Sequence, residues 1–328
     1  MRVLMLTNMY PAPERRWLGI YVKREVEALR GLGVDVDVMV VEGWRRRSEY
    51  LRAYPRLRRI LSDNRYHLIH AYYGLSGLIA CTQSRVPFVV TFCGDDALGA
   101  RKRSGGVTAL SKILVKAAKS AASRAAAVTV KTQQMKDVFP PDAKVTVIPS
   151  GVDLRMFRPM DRESCCRELG LAEAPLKILF LGDTSLPVKN FPLARDAVDV
   201  LRQRGTDATL MAVSKVTDEE IVLHMNACDC LLITSMSEGS PNIAVESLAC
   251  NLPIVSVEVG DVKELISGVE GCRLTPRDPE SIADALEDVL TKRERISGTD
   301  RVAHLDISRI ALRILEVYRG VVPQAGRC

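Results

Sequence analysis

The chain has 328 residues, more than the usual ~100–200 of one domain, so two domains are expected. Its 47% hydrophobic and 26% charged residues exclude disorder, and no apolar run approaches the ~18–20 residues that span a bilayer. The net charge of +6 divides unevenly, with 27 Lys and Arg against 13 Asp and Glu up to residue 160, and 19 against 27 thereafter.

Taken in chain order, buried-strand runs alternate with helical patterns, as in parallel sheets covered on both faces. The first run, Arg2–Thr7, is cut off by Asn8 and Pro11 and reads as a strand rather than a signal peptide, so the cytoplasm is the expected location. Further strands are expected at Val34–Val41, His67–Ala71, Pro87–Phe92, Ala126–Lys131 and Lys144–Pro149, with helices at Gly19–Gly31 and Lys112–Arg124. The turn-rich segment Pro149 to Pro159 reads as a linker. The pattern then restarts: strand Leu176–Gly182, helix Asn190–Arg204, strand Ala208–Val213, helix Asp218–Asn226, strand Cys230–Thr234, helix Pro241–Ala249 and strand Ile254–Val257. A last amphipathic helix, Ile307–Arg319, carries Ile310, Ile314 and Val317 on one face. The expected fold class is α/β, two doubly wound domains facing a cleft at the carboxyl ends of both sheets, where such sheets bind ligands. The nine cysteines are scattered without C-x-x-C or an accompanying His cluster, so no metal site or disulfide framework is expected.

The segment Ser235 to Glu246 follows an apolar strand and opens a helix, with Ser240 suited to the N-cap and Pro241 to the first helical position. Unpaired N–H groups at such a start are donors to hydroxyls or phosphates, and Glu238 just ahead of them can accept from sugar hydroxyls. Glu246 lies among apolar neighbours, so it either reaches into the cleft or is held by a partner, because burying it unpaired is costly.

From Asn226-Ala227-Cys228-Asp229 through that segment to Gly260–Ile266, the sequence resembles the donor-binding region of family 4 retaining glycosyltransferases, and the spacing of Glu238 and Glu246 matches that family's E-x7-E motif. Val147-Ile148-Pro149-Ser150-Gly151-Val152-Asp153 with Phe157 and Pro159 is similar to its linker. Gly271 to Pro279, Val90 to Asp96, and Leu6 to Pro11 followed by Gly19 supply further matches in the same order.

The resemblance implies two Rossmann-like domains in the glycosyltransferase-B fold: residues 1–159 bind the acceptor, residues 160–306 bind a nucleotide sugar, and helix 307–319 packs back on the first. It implies a retaining, metal-independent transfer from a nucleoside-diphosphate sugar of UDP or GDP type to a hydroxyl acceptor, a glycan or lipid-linked, in polysaccharide, lipopolysaccharide or glycolipid assembly, with no resident cofactor. Lys189 would neutralise the leaving diphosphate and Glu238 would hold the transferred sugar. Glu246 would bind the ribose, the Gly239–Asn242 turn would meet sugar hydroxyls through the N–H groups of Gly239, Ser240 and Asn242 with Pro241 shaping it, and Gly19 would lie near the pyrophosphate. Two departures stand out. Asp183 replaces the family's usual arginine, so either Lys189 and the backbone dipoles suffice or Arg15 or Arg16 contributes. Cys93 replaces its histidine, which implies a donor other than plain glucose.

Asp96 is expected either at the active site or as a loop cap, and His70 either as an acceptor contact or as a satisfied core residue. The basic stretches Arg45–Arg47, Arg56 to Arg59 and Arg101–Arg103, with Lys112, Lys116 and Lys119 at helical spacing, suit an anionic membrane surface or an acidic acceptor. Nucleic acid is set aside as a partner, because aromatics are only 5% and no binding module is present. A sugar-nucleotide epimerase on the same architecture and a non-catalytic two-lobed sugar binder are the rival readings.

Overall fold

The computed structural model describes residues 1–43, 45–99, 106–141, 143–172 and 175–322. Its first sheet contains β1 (Arg2–Thr7), β2 (Asp35–Val40), β3 (Leu68–Tyr72), β4 (Phe88–Phe92), β5 (Ala127–Val130) and β6 (Val145–Val147), in the order β2-β1-β3-β4-β5-β6 and parallel throughout. The second contains β7 (Leu176–Leu181), β8 (Ala208–Val213), β9 (Cys230–Ile233), β10 (Ile254–Val257) and β11 (Arg273–Thr275), in the order β11-β10-β9-β7-β8, also parallel. Central strands such as β3 (LIHAY), β4 (FVVTF) and β9 (CLLI) are buried at every residue, so their largely apolar sequences serve both faces at once. The strand order reverses between β1 and β3 in one sheet and between β7 and β9 in the other, which places the loops after these strands at the switch points, with the loop after β4 next to them.

One face of the first sheet (Val3, Met5, Leu68, Val89) belongs to a core that continues through the Ile20–Gly31 helix into the second sheet. The other face (Leu4, Leu6, Ile69, Val90) is closed separately by the helices Glu49–Asp63, Gly74–Ala80 and Ala109–Ala122. Glu49–Asp63 contains Pro55 and four exposed arginines, Arg52, Arg56, Arg58 and Arg59, and the proline hides it from a reading that treats proline as a helix breaker.

The C-terminal helix Ile307–Val321 returns to the first half. The Val152 N–H donates to Leu305 O (3.0 Å), the Ile307 N–H donates to Val152 O (2.9 Å), and the Arg313 guanidinium donates to Val147 O (2.6 Å). Ile310 and Ile314 are buried as the periodicity requires, together with Tyr318, whose hydroxyl lies 2.6 Å from His70 Nδ1. His70 Nε2 lies 2.6 Å from Thr91 Oγ1, so both ring nitrogens are engaged and the ring is buried. His70 is therefore a satisfied core residue joining β3 to the last helix, not an acceptor contact.

Burial, reinforced by Lys131, pushes the His70 imidazole down to about 3 from its ordinary 6.5. The unfolded chain then binds the extra proton between those values, so this residue's contribution to stability is complete above about pH 6.5 and is lost progressively as pH falls toward 3. Tyr318→Phe keeps the ring but strands a buried nitrogen, at an expected cost of about 1–3 kcal/mol by denaturant titration at neutral pH. An unchanged unfolding midpoint would contradict the contact.

Candidate active site

Each switch-point loop is held by its own polar ties. After β1, the Thr7 hydroxyl donates to Met9 O (3.0 Å) and accepts from the Met9 N–H (3.2 Å). Gly19 closes this loop with φ +68°, and a Cβ there would lie 2.4 Å from Met9 C and O. The requirement for glycine thus comes from the loop's own backbone as well as from any ligand approach.

After β4, the Asp96 carboxylate accepts from the N–H groups of Gly74 (2.8 Å), Cys93 (2.9 Å) and Gly94 (2.9 Å), tying the end of β3 to the end of β4. Burial raises its carboxyl to about 6 even though those amides oppose the shift. Asp96 is the loop cap. The Cys93 thiol packs against the first core, and burial, then Asp96, pushes it well above the ordinary thiol range. Cys93 presents its carbonyl to the other domain, so a donor preference drawn from the side chain has no support in this geometry.

The loops after β7 and β9 converge. Lys189 ends a short turn, Pro187–Lys189, and Asn190 in the left-handed conformation opens the Phe191–Gln203 helix. The Met236 N–H donates to Val188 O (2.7 Å), the Thr234 hydroxyl donates to Lys189 O (3.1 Å), and Lys189 Nζ meets Glu238 Oε1 at 2.7 Å. Asp95 is half-buried near this pair: burial, then Glu238, raises its carboxyl while Lys189 lowers it. Asp183 accepts from the N–H and hydroxyl of Ser185 (3.0 and 2.6 Å) and pairs with Lys215 at 3.5 Å, so the acid that replaces the expected cation brings a cation with it.

Ser240 is not the helix cap. The helix runs Asn242–Ala249 with Pro241 at the N-cap position, and the Ser240 hydroxyl donates to Asp261 Oδ2 (2.8 Å). Arg277, which the sequence reading passed over inside its Gly271–Pro279 stretch, donates to Thr234 O (3.2 Å) and Ser235 O (2.7 Å) and fixes the end of β9. A Cβ on Gly239 would lie 2.2 Å from Cys93 O, and one on Gly94 would lie 3.3 Å from the Gly239 nitrogen. The two domains therefore meet backbone to backbone beside Lys189 and Glu238, an approach open only to glycine.

Glu246 is buried and has the partner that its apolar surroundings demand. Its Oε1 lies 2.6 Å from Arg24 Nη1, on the first helix of the other domain. Arg24 also makes a two-pronged contact with Asp218, and its guanidinium lies 4.6 Å from the centre of the Phe157 ring. Desolvation alone would lower the Arg24 pKa, but Glu246 and Asp218 outweigh it and the guanidinium stays charged. A cavity of 840 Å³ opens beside this cluster, bounded by Arg16, Lys23 and Arg24 on one domain and by Thr217, Asp218 and Glu219 on the other. Of the basic stretches, Arg45 pairs with Glu42 at 3.4 Å and Arg56 donates to Val40 O at 3.0 Å, while Arg101–Arg103 lies outside the described residues.

Comparison with known proteins bears on this arrangement. Residues 2–151 match the family model described as Glycosyl transferase 4-like domain, and residues 211–292 match that described as Glycosyl transferases group 1. The D-inositol 3-phosphate glycosyltransferase of Geodermatophilus obscurus is 30% identical over 207 residues, which cover 52% of this chain and 46% of that relative, so this chain spans less than half of the relative's length. The sucrose-phosphate synthase of Thermosynechococcus elongatus has the same fold, with a TM-score of 0.81 at 17% identity over 97% of this chain and 98% of that one. The Anabaena protein HepE, solved in complex with UDP-glucose, gives a TM-score of 0.69 at 17% identity over 96% and 98%.

Removing one partner of a buried ion pair leaves charge without solvent. Arg24→Met should therefore lower unfolding stability by about 3–5 kcal/mol in a denaturant titration, because Asp218 and Glu246 lose their shared cation together. A variant as stable as the parent would show that the cluster holds nothing.

Proposed function

The chain belongs to the glycosyltransferases of family 4/1 type with the two-domain B fold, and we propose that it moves a sugar from a nucleoside-diphosphate donor to a hydroxyl acceptor with retention of configuration. The observation that carries this reading is the Lys189–Glu238 pair, 2.7 Å apart at the switch point of the second sheet and facing the Cys93–Gly94 loop of the first. Lys189, at the start of the Phe191–Gln203 helix, combines a full positive charge with the helix dipole and takes the leaving diphosphate. Glu238 exchanges its lysine partner for hydroxyls of the transferred sugar when the donor is bound. Glu246 uses one oxygen to hold Arg24 and offers the other to the ribose. The departing phosphate oxygen removes the acceptor's proton on the face from which it leaves, so the new bond forms on that same face. In this scheme Lys189 and helix N-termini carry the developing charge, with no metal ion called on.

UDP is the favoured nucleotide, supported by the UDP-glucose bound to the Anabaena neighbour. Polysaccharide, lipopolysaccharide or glycolipid assembly is the proposed setting, at the inner face of a membrane. Among the described residues no helix is long and apolar enough to cross a membrane.

Incubation with UDP-sugars should release UDP in an acceptor-dependent manner, which an epimerase or a passive binder would not do. Glu246→Gln should raise the donor KM more than it lowers kcat, whereas Glu238→Gln should lower kcat by about 100-fold or more. If both variants keep the parent's turnover and KM, the assignment of this site is wrong.

A further inference from the structure

The Ala109–Ala122 helix distributes its side chains against the usual rule. Its buried positions are small residues in the second half, Ala118, Ala121 and Ala122, while the large aliphatic residues of the first half are left exposed. Leu110 is 56% exposed, Ile113 65% and Leu114 38%. At 100° per residue these three form one stripe that Ala121 continues into the core, and exposed Lys112 and Lys116 lie on the far side, while Lys119 next to them donates to Val138 O (3.0 Å). Exposing three large aliphatics on adjacent turns is unfavourable in water, and a single helix that joins such a flank to a lysine flank has the side-chain pattern of a helix lying in a lipid interface.

The surroundings fit the same orientation. Beside the aliphatic stripe a groove of 220 Å³ is lined by Leu110 and Leu114 of this helix together with Tyr73 and Asp95 of the loops after β3 and β4. Asp95 follows Gly94, where a Cβ would lie 3.3 Å from the nitrogen of Gly239 beside Glu238, so the groove adjoins the reacting centre. On the lysine flank a second hollow of 390 Å³ is bounded by Lys112, Lys116 and Lys119.

We propose that this helix beds in an anionic bilayer, Lys112 and Lys116 against lipid phosphates and Leu110, Ile113 and Leu114 among the acyl chains, so that a bilayer-borne acceptor reaches the site along the groove. This deepens the transferase reading and rests on it for the acceptor. Charge complementarity selects the occupant. The half of the chain that carries the helix has a surplus of 14 positive charges, and the aliphatic flank lets it hold a lipid surface where charge alone would be screened.

Sedimentation of the full chain with phosphatidylglycerol or phosphatidylcholine vesicles tests the proposal. Binding should favour phosphatidylglycerol, weaken with salt, and fall about tenfold for Ile113→Ser and for the pair Lys112→Gln, Lys116→Gln. Ile113 is exposed and lines neither groove, so Ile113→Ser should keep its thermal midpoint and its acceptor-dependent UDP release with a water-soluble acceptor. Equal binding to both vesicle types, or variants that sediment like the parent, would overturn the membrane contact. Loss of UDP release by the parent with every acceptor would instead overturn the transferase reading.

Discussion

A charge buried between two domains constrains both of them. Arg24 cannot be withdrawn from water without counter-charges, and its counter-charges, Asp218 and Glu246, come from two separate helices of the other half. The guanidinium suits the position because its planar fork can serve two carboxylates at once while its face lies over Phe157, which stands in the linker. A lysine would supply charge without the fork. The cluster thus sets the angle at which the first helix of one domain meets the helix starts of the other, close to where the linker and the C-terminal segment cross between them. Burial raises the Glu246 carboxyl, and Arg24 opposes that rise.

With that joint in place, the opposite loops come close enough for backbone to touch backbone at Gly94 and Gly239. The result is a site that is nearly closed around Lys189 and Glu238, which satisfy each other in the absence of a substrate. In the proposed reaction such a pair would exchange partners: a bound diphosphate would compete for the lysine and leave the glutamate to sugar hydroxyls. Water must leave for this to be effective, and the glycine contact narrows the space from which it leaves.

Much of this was legible in the sequence, because parallel strands buried on both faces write themselves as short continuous apolar runs. β1, β8 and β10 begin and end where those runs do. What was not legible depends on distance along the chain. Glu246 among apolar neighbours announces that it needs a partner, but nothing in the segment names a residue 222 positions away. Asp96 and His70 each had a structural and a functional reading; the deciding facts, three backbone N–H donors in one case and Tyr318 in the other, come from other elements. Cys93 suggested a change in the donor site because it stands where the resembled family has a histidine, whereas its side chain packs against the first core.

The central claim is that Arg24 and Glu246 act as one unit joining domain contact to donor recognition. A double-mutant cycle on the donor KM, comparing Arg24→Met, Glu246→Gln and the combined variant, tests it most directly. If the two residues are one unit, the combined variant should be little worse than the poorer single variant, with a coupling energy of about 1–3 kcal/mol. Effects that simply add would contradict the account and leave Arg24 as a structural bridge unconnected with the donor.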